Sequence, residues 1–270
     1  CVDAGLGPWL PPQVPPDIFG PLQRMRILFH IGRYFQLMGE VFGRPERLGV
    51  YWRRIIEEID LLGVKSLGIV AMLSAFMGAV IALQTKSNIN SPLISDTLVG
   101  FATRQSTILE FSPTIIALIL AGKVGSTVAA EIGSMRVKEQ IDALDIMGVN
   151  SAGYLILPKV IAAVLIFPFL IIMSMFLSVF GGYLIVAATG IISTSAYQTG
   201  IRMDFMPFSI TYALIKTEVF AFIITTVSGY HGYYTQGGTR EVGISSTTAV
   251  VYSIVAIIIS NFVLTKLLLA

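Results

Sequence analysis

The sequence predicts an all-α polytopic membrane protein, with an N-terminal interfacial amphipathic helix followed by about five transmembrane helices. Three observations predict it. Charged residues are only 13% of the 270, against 54% hydrophobic, about half the charge of a soluble domain. The mean hydropathy is +0.79. The charges also bracket long apolar runs: residues 66–85, 111–122, 160–201, 219–239 and 242–265 contain no Asp, Glu, Lys or Arg. So little charge cannot cover a soluble globule of this size, and it excludes disordered, collagen-like and coiled-coil chains as well. The apolar runs are continuous, without the period-2 alternation of a membrane β-barrel. A balance of 18 Lys and Arg against 16 Asp and Glu is no signature of nucleic-acid binding. Cys1 is the sole cysteine, which excludes an internal disulfide and a paired-cysteine zinc site.

Residues 1–21 hold six of the twelve prolines (Pro8, Pro11, Pro12, Pro15, Pro16 and Pro21) and read as an extended tail. No basic stretch followed by an apolar one opens them, so no signal peptide is expected. The remainder, 22–270, forms one domain. Over 22–60, Leu22, Met25, Ile27, Leu28, Ile31, Phe35 and Met38 alternate with Arg24, Arg26 and Arg33. Arg53, Arg54, Glu57 and Glu58 then follow around Ile55, Ile56 and Ile59. Basic and aromatic residues on an amphipathic pattern predict a helix lying on the membrane surface, or a juxtamembrane anchor.

A helix needs about 20 residues to cross a hydrocarbon core of roughly 30 Å. The runs 66–85, 219–239 and 242–265 each fit one span. The run 111–122 is too short alone, so its helix must carry Glu110 or Lys123 to membrane depth. The 42-residue run 160–201 could be a hairpin of two spans or one long helix. Pro168 would kink it, and Gly181-Gly182 is either a break or a close-packing point. Because no polar turn interrupts 160–180, one helix of about 30 residues is expected. The expected spans are then 64–85, 107–129, 158–188, 209–230 and 248–268. With the N-terminus cytoplasmic, 13 cations fall on inside segments and four (Lys86, Arg104, Arg202 and Lys266) on outside ones, with Lys216 inside a span. That asymmetry supports five spans, N-terminus in and C-terminus out.

Residues 121–158 form the longest charged connection. From Ser134 to Met147 they have helical character, with Met135, Val137, Ile141, Leu144 and Met147 apolar and Gly148 at a stop position. Read from the residues alone, this helix is equally a solvated connector or a docking element for a partner. The small residues Gly122, Gly125, Ala129, Ala130 and Gly133 suit close helix packing. His30 and His231 are far apart in sequence, and neither has a second ligand at metal spacing. Ser126, Thr127 and Ser134 have no nearby histidine to activate them. No catalytic residue, metal site or cofactor is expected.

The segment AGKVGSTVAAEIGSMRVKEQIDALDIMGVN, 121–150, resembles the signature of MlaE-type permeases, the membrane subunits of ABC lipid transporters paired with MCE proteins. The family wording is close to AGRxGSxxAAEIGxMxxxEQIDAL, and Lys123 replaces its usual arginine. Glu110-Phe111-Ser112-Pro113, LIKTEVFAF at 214–222, and Gly238, Gly243, Thr247 and Thr248 are similar to family positions too. The resemblance covers about 25–270. It implies that 134–148 is a coupling helix seated in a groove of a cytoplasmic ATPase, in the role of the EAA loop of importers but without its spacing. Glu131, Arg136, Lys138, Glu139, Gln140, Asp142 and Asp145 are then the coupling residues. The chain has no G-x-x-x-x-G-K-[ST] motif, so ATP hydrolysis is expected in a partner and not in this subunit.

The same resemblance implies a homodimer in the bacterial inner membrane that moves phospholipid to or from a periplasmic MCE-domain protein and supports outer-membrane lipid asymmetry. A small cytoplasmic STAS-type subunit is a further implied partner, and no nucleic acid is involved. Glu110, Lys216 and Glu218 lie at membrane depth, where a charge costs several kcal/mol and faces a cavity, a partner or another charge. They are read as lining a lipid pathway, with Lys216 as a phosphate contact. The competing reading is an internal salt bridge, or Lys216 reaching the outer surface. Lys216 and Glu218 are two apart and do not share a helix face. A secondary transporter would need inverted repeats, which five spans do not suggest. An intramembrane lipid-modifying enzyme would need a catalytic constellation.

Overall fold

The computed structural model describes residues 19–43, 48–89 and 95–269. These residues form helices joined by short turns, with no strand among them. The tail expected over 1–21 lies outside the described residues up to position 18. Helix α1 spans Phe19–Gly43 and α2 Leu48–Glu58. The stretch 22–60, expected to be one surface element, is thus two helices with different fates. α2 does not lie apart from the spans. It runs through a π-helical turn (Ile59–Gly63) and a 3₁₀ turn (Val64–Ser66) into α3, Leu67–Asn88. Nothing in 48–62 breaks a helix, and Gly63 lets the junction approach α8, since a Cβ there would stand 2.2 Å from Ile166 Cγ1.

The second apolar helix is longer than its charge-free run. It comprises α4 (Thr97–Ser106), a π segment (Thr107–Ile115), α5 (Ile116–Leu120), a second π segment (Ala121–Gly125) and α6 (Ser126–Val137). A short α7, Gln140–Ile146, follows. The long apolar run is one helix, α8, Ser151–Thr189, with Pro158 and Pro168 inside it. Asn150 caps its start by accepting from Gly153 N–H, and Gly190 ends it at φ +63°, a left-handed conformation that only glycine adopts freely. α9 (Thr194–Arg202), α10 (Phe208–Tyr233) and α11 (Thr239–Leu269) complete the chain. Five helices are long and apolar enough to cross a membrane: Tyr51–Asn88, Thr97–Val137, Ser151–Thr189, Phe208–Tyr233 and Thr239–Leu268. At 1.5 Å per residue the 41-residue second span is about 60 Å long and overreaches a 30 Å core.

The spans alternate in direction, so α7 and the 234–238 turn share one end of the molecule, and α9 lies at the other. Two packing units result. α3 lies along α8, and α6, α10 and α11 pack mutually. Small residues set both contacts. A Cβ on Gly78 would fall 1.7 Å from Ser178 O, and one on Gly181 2.1 Å from Ala75 O. Gly181-Gly182 is therefore a close-packing point and not a break. Ser174 Oγ sits at this crossing, 2.8 Å from Ser74 Oγ and 3.1 Å from Ser112 Oγ. In the second unit a Cβ on Gly125 would meet Ser228 Oγ at 2.9 Å, and one on Gly232 would meet Ala129 O at 2.8 Å. α1 lies outside the spans, across the ends of α8 and α10 on the α7 side. Asn150 donates to Glu40 O at 2.8 Å, and Tyr34 donates to Thr226 Oγ1 at 2.8 Å.

Candidate functional site

The segment 134–148 is not the single helix expected. α6 ends at Val137, Glu139 turns left-handed at φ 58°, and α7 restarts at Gln140. A non-glycine residue in that conformation costs roughly 1–2 kcal/mol, so something must hold it. Arg136 Nη1 donates to Asp142 Oδ1 at 2.6 Å across the break, and its guanidinium lies 5.8 Å from the Tyr233 ring centroid. Ile141 is fully buried, and Met135 and Leu144 pack against the core. The apolar residues expected to form a docking ridge therefore mostly anchor α7 to its own protein. The exposed ridge is instead Ile146 (88% exposed) and Met147 (68%), before Gly148 at φ +79°. Lys138, Glu139, Gln140, Asp142 and Asp145 are exposed around it.

Glu131 has a different setting from the other residues expected to couple. Its Oε2 accepts from Lys159 Nζ at 2.7 Å, and the same Nζ donates to Glu58 Oε1 at 2.5 Å. One buried ammonium thus ties α2, α6 and α8 together. The count of inside cations placed Lys159 in a loop, although the expected span 158–188 contained it, and it is a buried residue of α8. Lys123, also assigned to that loop, lies in the second π segment and donates to Lys65 O. Arg104, assigned to an outside segment, is buried in α4. It donates to the carbonyls of Ile201, Met203 and Asp204 at 2.8, 2.9 and 3.2 Å, closing the C-terminus of α9. No sequence signal separates these cations from ordinary loop cations, because their partners come from other helices.

The intramembrane charges form a second cluster. Lys216 Nζ is 2.8 Å from Glu110 Oε1. Tyr212 OH lies 3.3 Å from the same oxygen and 3.0 Å from Thr265 Oγ1. Glu110 Oε2 accepts from Asn261 Nδ2 and from Thr114 Oγ1, each at 3.3 Å. The cluster joins the first π segment to α10 and α11. Lys216 is fully buried, whereas the Glu110 side chain is half-exposed. The lysine neither reaches the outer surface nor offers its ammonium to a passing headgroup. It lies behind Glu110, and the carboxylate is the accessible member. Glu218 stays apart from this pair, and its buried Oε2 has no hydrogen-bond partner. Tyr212, Thr114, Asn261 and Thr265 were not foreseen. Neutral polar residues in apolar runs give no signal until the helices are docked.

Such an arrangement can bind and reorient. It holds a neutralised ion pair at membrane depth and a clamped, exposed turn at one end of the same span. No three His, Cys, Asp or Glu side chains converge at metal-binding distance among the described residues.

Comparison with known proteins gives consistent matches. The family described as Permease MlaE matches residues 55–267. A probable ABC transporter permease protein of Rickettsia bellii is 38% identical over 81% of this chain and 84% of its own length. The chloroplastic protein TRIGALACTOSYLDIACYLGLYCEROL 1 of Arabidopsis thaliana is 34% identical over 85% of this chain and 65% of its own. The intermembrane phospholipid transport system permease protein MlaE of Haemophilus influenzae is 28% identical, covering 87% and 89% of the two chains.

Proposed function

The chain belongs to the MlaE permease family of ABC transporter membrane subunits, and from that premise we propose that it moves phospholipid between the bacterial inner membrane and a periplasmic MCE-domain partner. It works as a homodimer driven by a separate cytoplasmic ATPase, with the N-terminus and α7 on the cytoplasmic side. A small STAS-type subunit is a further candidate partner on that side. Phospholipid is suggested by the printed name of the Haemophilus relative and suits a chain whose spans carry so few charges. The orientation follows from the excess of cations at the α7 end.

The single observation that carries the coupling role is the exposed pair Ile146 and Met147 at the end of α7, a short helix whose start is clamped by the Arg136–Asp142 ion pair. Two large apolar side chains at a polar end are unfavourable in water and suit insertion into a partner's groove. Charges around them fix the orientation of docking. Movement of the ATPase would enter through α7 and reach Glu110 along the second span. The half-exposed Glu110 lines the lipid path, with Lys216 holding it in place from behind. Glu218 is a second candidate for that lining.

The test is coexpression with the cognate P-loop ATPase and MCE protein, reconstitution, and measurement of vanadate-sensitive ATP hydrolysis and lipid transfer. Ile146→Asp/Met147→Asp should lower coupled transfer by about tenfold or more, the scale of a coupling free energy of roughly 1–3 kcal/mol. The melting temperature of the chain alone should not change. Unchanged coupling in that variant would overturn the docking assignment.

A further inference from the structure

A cavity of about 820 Å³ opens between α1, the last turns of α10 and the first half of α11, and nothing in the coupling or Glu110 clusters uses it. We propose that it is a separate binding site for the phosphate-bearing headgroup of a zwitterionic glycerophospholipid drawn from the leaflet on the α7 side. The proposal rests on the lipid-permease reading and extends it to a second position along the protein.

Four observations carry it. The first is size: the volume lies within the few hundred to about 1,000 Å³ of small-molecule sites. The second is depth. α1 lies across the ends of α8 and α10, so the cavity sits where apolar and polar layers meet, and its wall is built accordingly. Tyr34, Tyr230, Tyr234 and Tyr252 stand beside aliphatic Val227 and Ile244. Tyrosines at that level place an apolar ring in lipid and a hydroxyl in the headgroup layer.

The third is charge. Arg33 is the cation of the cavity wall, and its guanidinium lies 3.7 Å from the Tyr234 ring centroid. A guanidinium seated on a ring face keeps its N–H groups as donors, and these fit phosphate oxygens in pairs. No carboxylate forms an ion pair with Arg33 among the described residues. Glu241 supplies the opposite charge at the wall, and its Oε2 is held by Gly238 N–H at 3.0 Å. A cation that binds phosphate, with a carboxylate and aromatic faces that bind an ammonium, selects a zwitterionic head. The fourth is rigidity. His30 Nδ1 is 2.8 Å from Tyr230 OH, Tyr34 donates to Thr226, and His231 stacks on Tyr252 at 5.1 Å. The wall is preorganised by its own contacts before any ligand arrives.

The test uses the full chain in lipid nanodiscs without ATPase. The probe is phosphatidylethanolamine with a photoreactive diazirine near the glycerol, and the readout is mass spectrometry of labelled peptides. Label is expected in 227–236 and 244–256. Arg33→Gln should lower it by about tenfold, the effect of 1.4 kcal/mol, with the melting temperature unchanged, and Arg33→Lys should restore part of it. Glu241→Gln should weaken labelling by the ethanolamine probe and spare a phosphatidylglycerol probe. Equal labelling by a diacylglycerol probe, which lacks phosphate, would overturn the proposal. So would labelling indifferent to Arg33→Gln, or displacement of the probe by millimolar inorganic phosphate, which would assign the cradle to a free anion. Because the assay needs no ATP, failure of coupled transfer and failure of this site are separate results.

Discussion

Two buried lysines organise the molecule, and they do so in opposite ways. Lys159 faces two carboxylates, Glu58 and Glu131, at 2.5 and 2.7 Å. Lys216 faces one, Glu110, at 2.8 Å. The first group has unequal charge and sits at the α7 end, where Glu131 is exposed and water can screen the excess. The second is balanced, and its remaining contacts come from the neutral groups of Tyr212, Thr114 and Asn261. Deeper in the membrane a net charge costs more than it does near the surface. The depth of each lysine is thus reflected in the partners it keeps. The Lys159 group fastens three helices, while the Lys216 group presents a carboxylate outward.

The comparison can be broken by removing each lysine in turn. Lys159→Met should have the largest effect, since it leaves two carboxylates facing each other. Losing one member of a buried pair costs about 3–5 kcal/mol, and the loss should appear as a lower melting temperature and yield in detergent. Adding Glu58→Gln should recover much of it. Lys216→Met should cost less, because it leaves one carboxylate where Lys159→Met leaves two, and Asn261 and Thr114 still donate to it. The double variant Lys216→Met/Glu110→Gln should return close to wild-type stability while lipid transfer remains impaired. Recovery of transfer as well would reduce the cluster to scaffolding.

Smaller effects sharpen the contrast at the α7 end. Arg136→Ala removes a partly exposed ion pair, worth about 0–1 kcal/mol. It should leave the melting temperature nearly unchanged and raise hydrogen exchange at 138–142. Glu139→Gly relieves the left-handed strain, roughly 1 kcal/mol, and should be neutral or slightly stabilising. Its effect on coupling reports whether the Glu139 side chain itself touches the ATPase.

The sequence made the five spans legible, and it marked Glu110, Lys216 and Glu218 as charges at membrane depth. Both readings rest on local composition, which survives without tertiary contacts. Pairing did not. Lys216 and Glu110 are 106 positions apart, and only the docking of α10 on the first π segment joins them. The rule that charges mark span ends failed at Arg104, buried and hydrogen-bonded in α4, while Lys123 and Lys159 fall inside the expected spans 107–129 and 158–188 although the count of inside cations had placed them in a loop. The break at Lys138-Glu139 was invisible for another reason. Both residues are good helix formers, and the turn is imposed by Arg136 reaching Asp142 and by the burial of Ile141.

The two π segments of the second span have a mechanical consequence. A π turn closes with one more residue than an α turn, so its hydrogen bonds can be traded one register along without melting the helix. The helix from Thr97 to Val137 is therefore a jointed strut. On the proposed coupling route, a push delivered at α7 would pass the joint at Ala121–Gly125, anchored through Lys123 to Lys65 O, before reaching the joint that holds Glu110. Beyond that second joint, Arg104 grips the end of α9. Force entering at one face would arrive at the other as a change of helical register, with each joint a separate point of escapement.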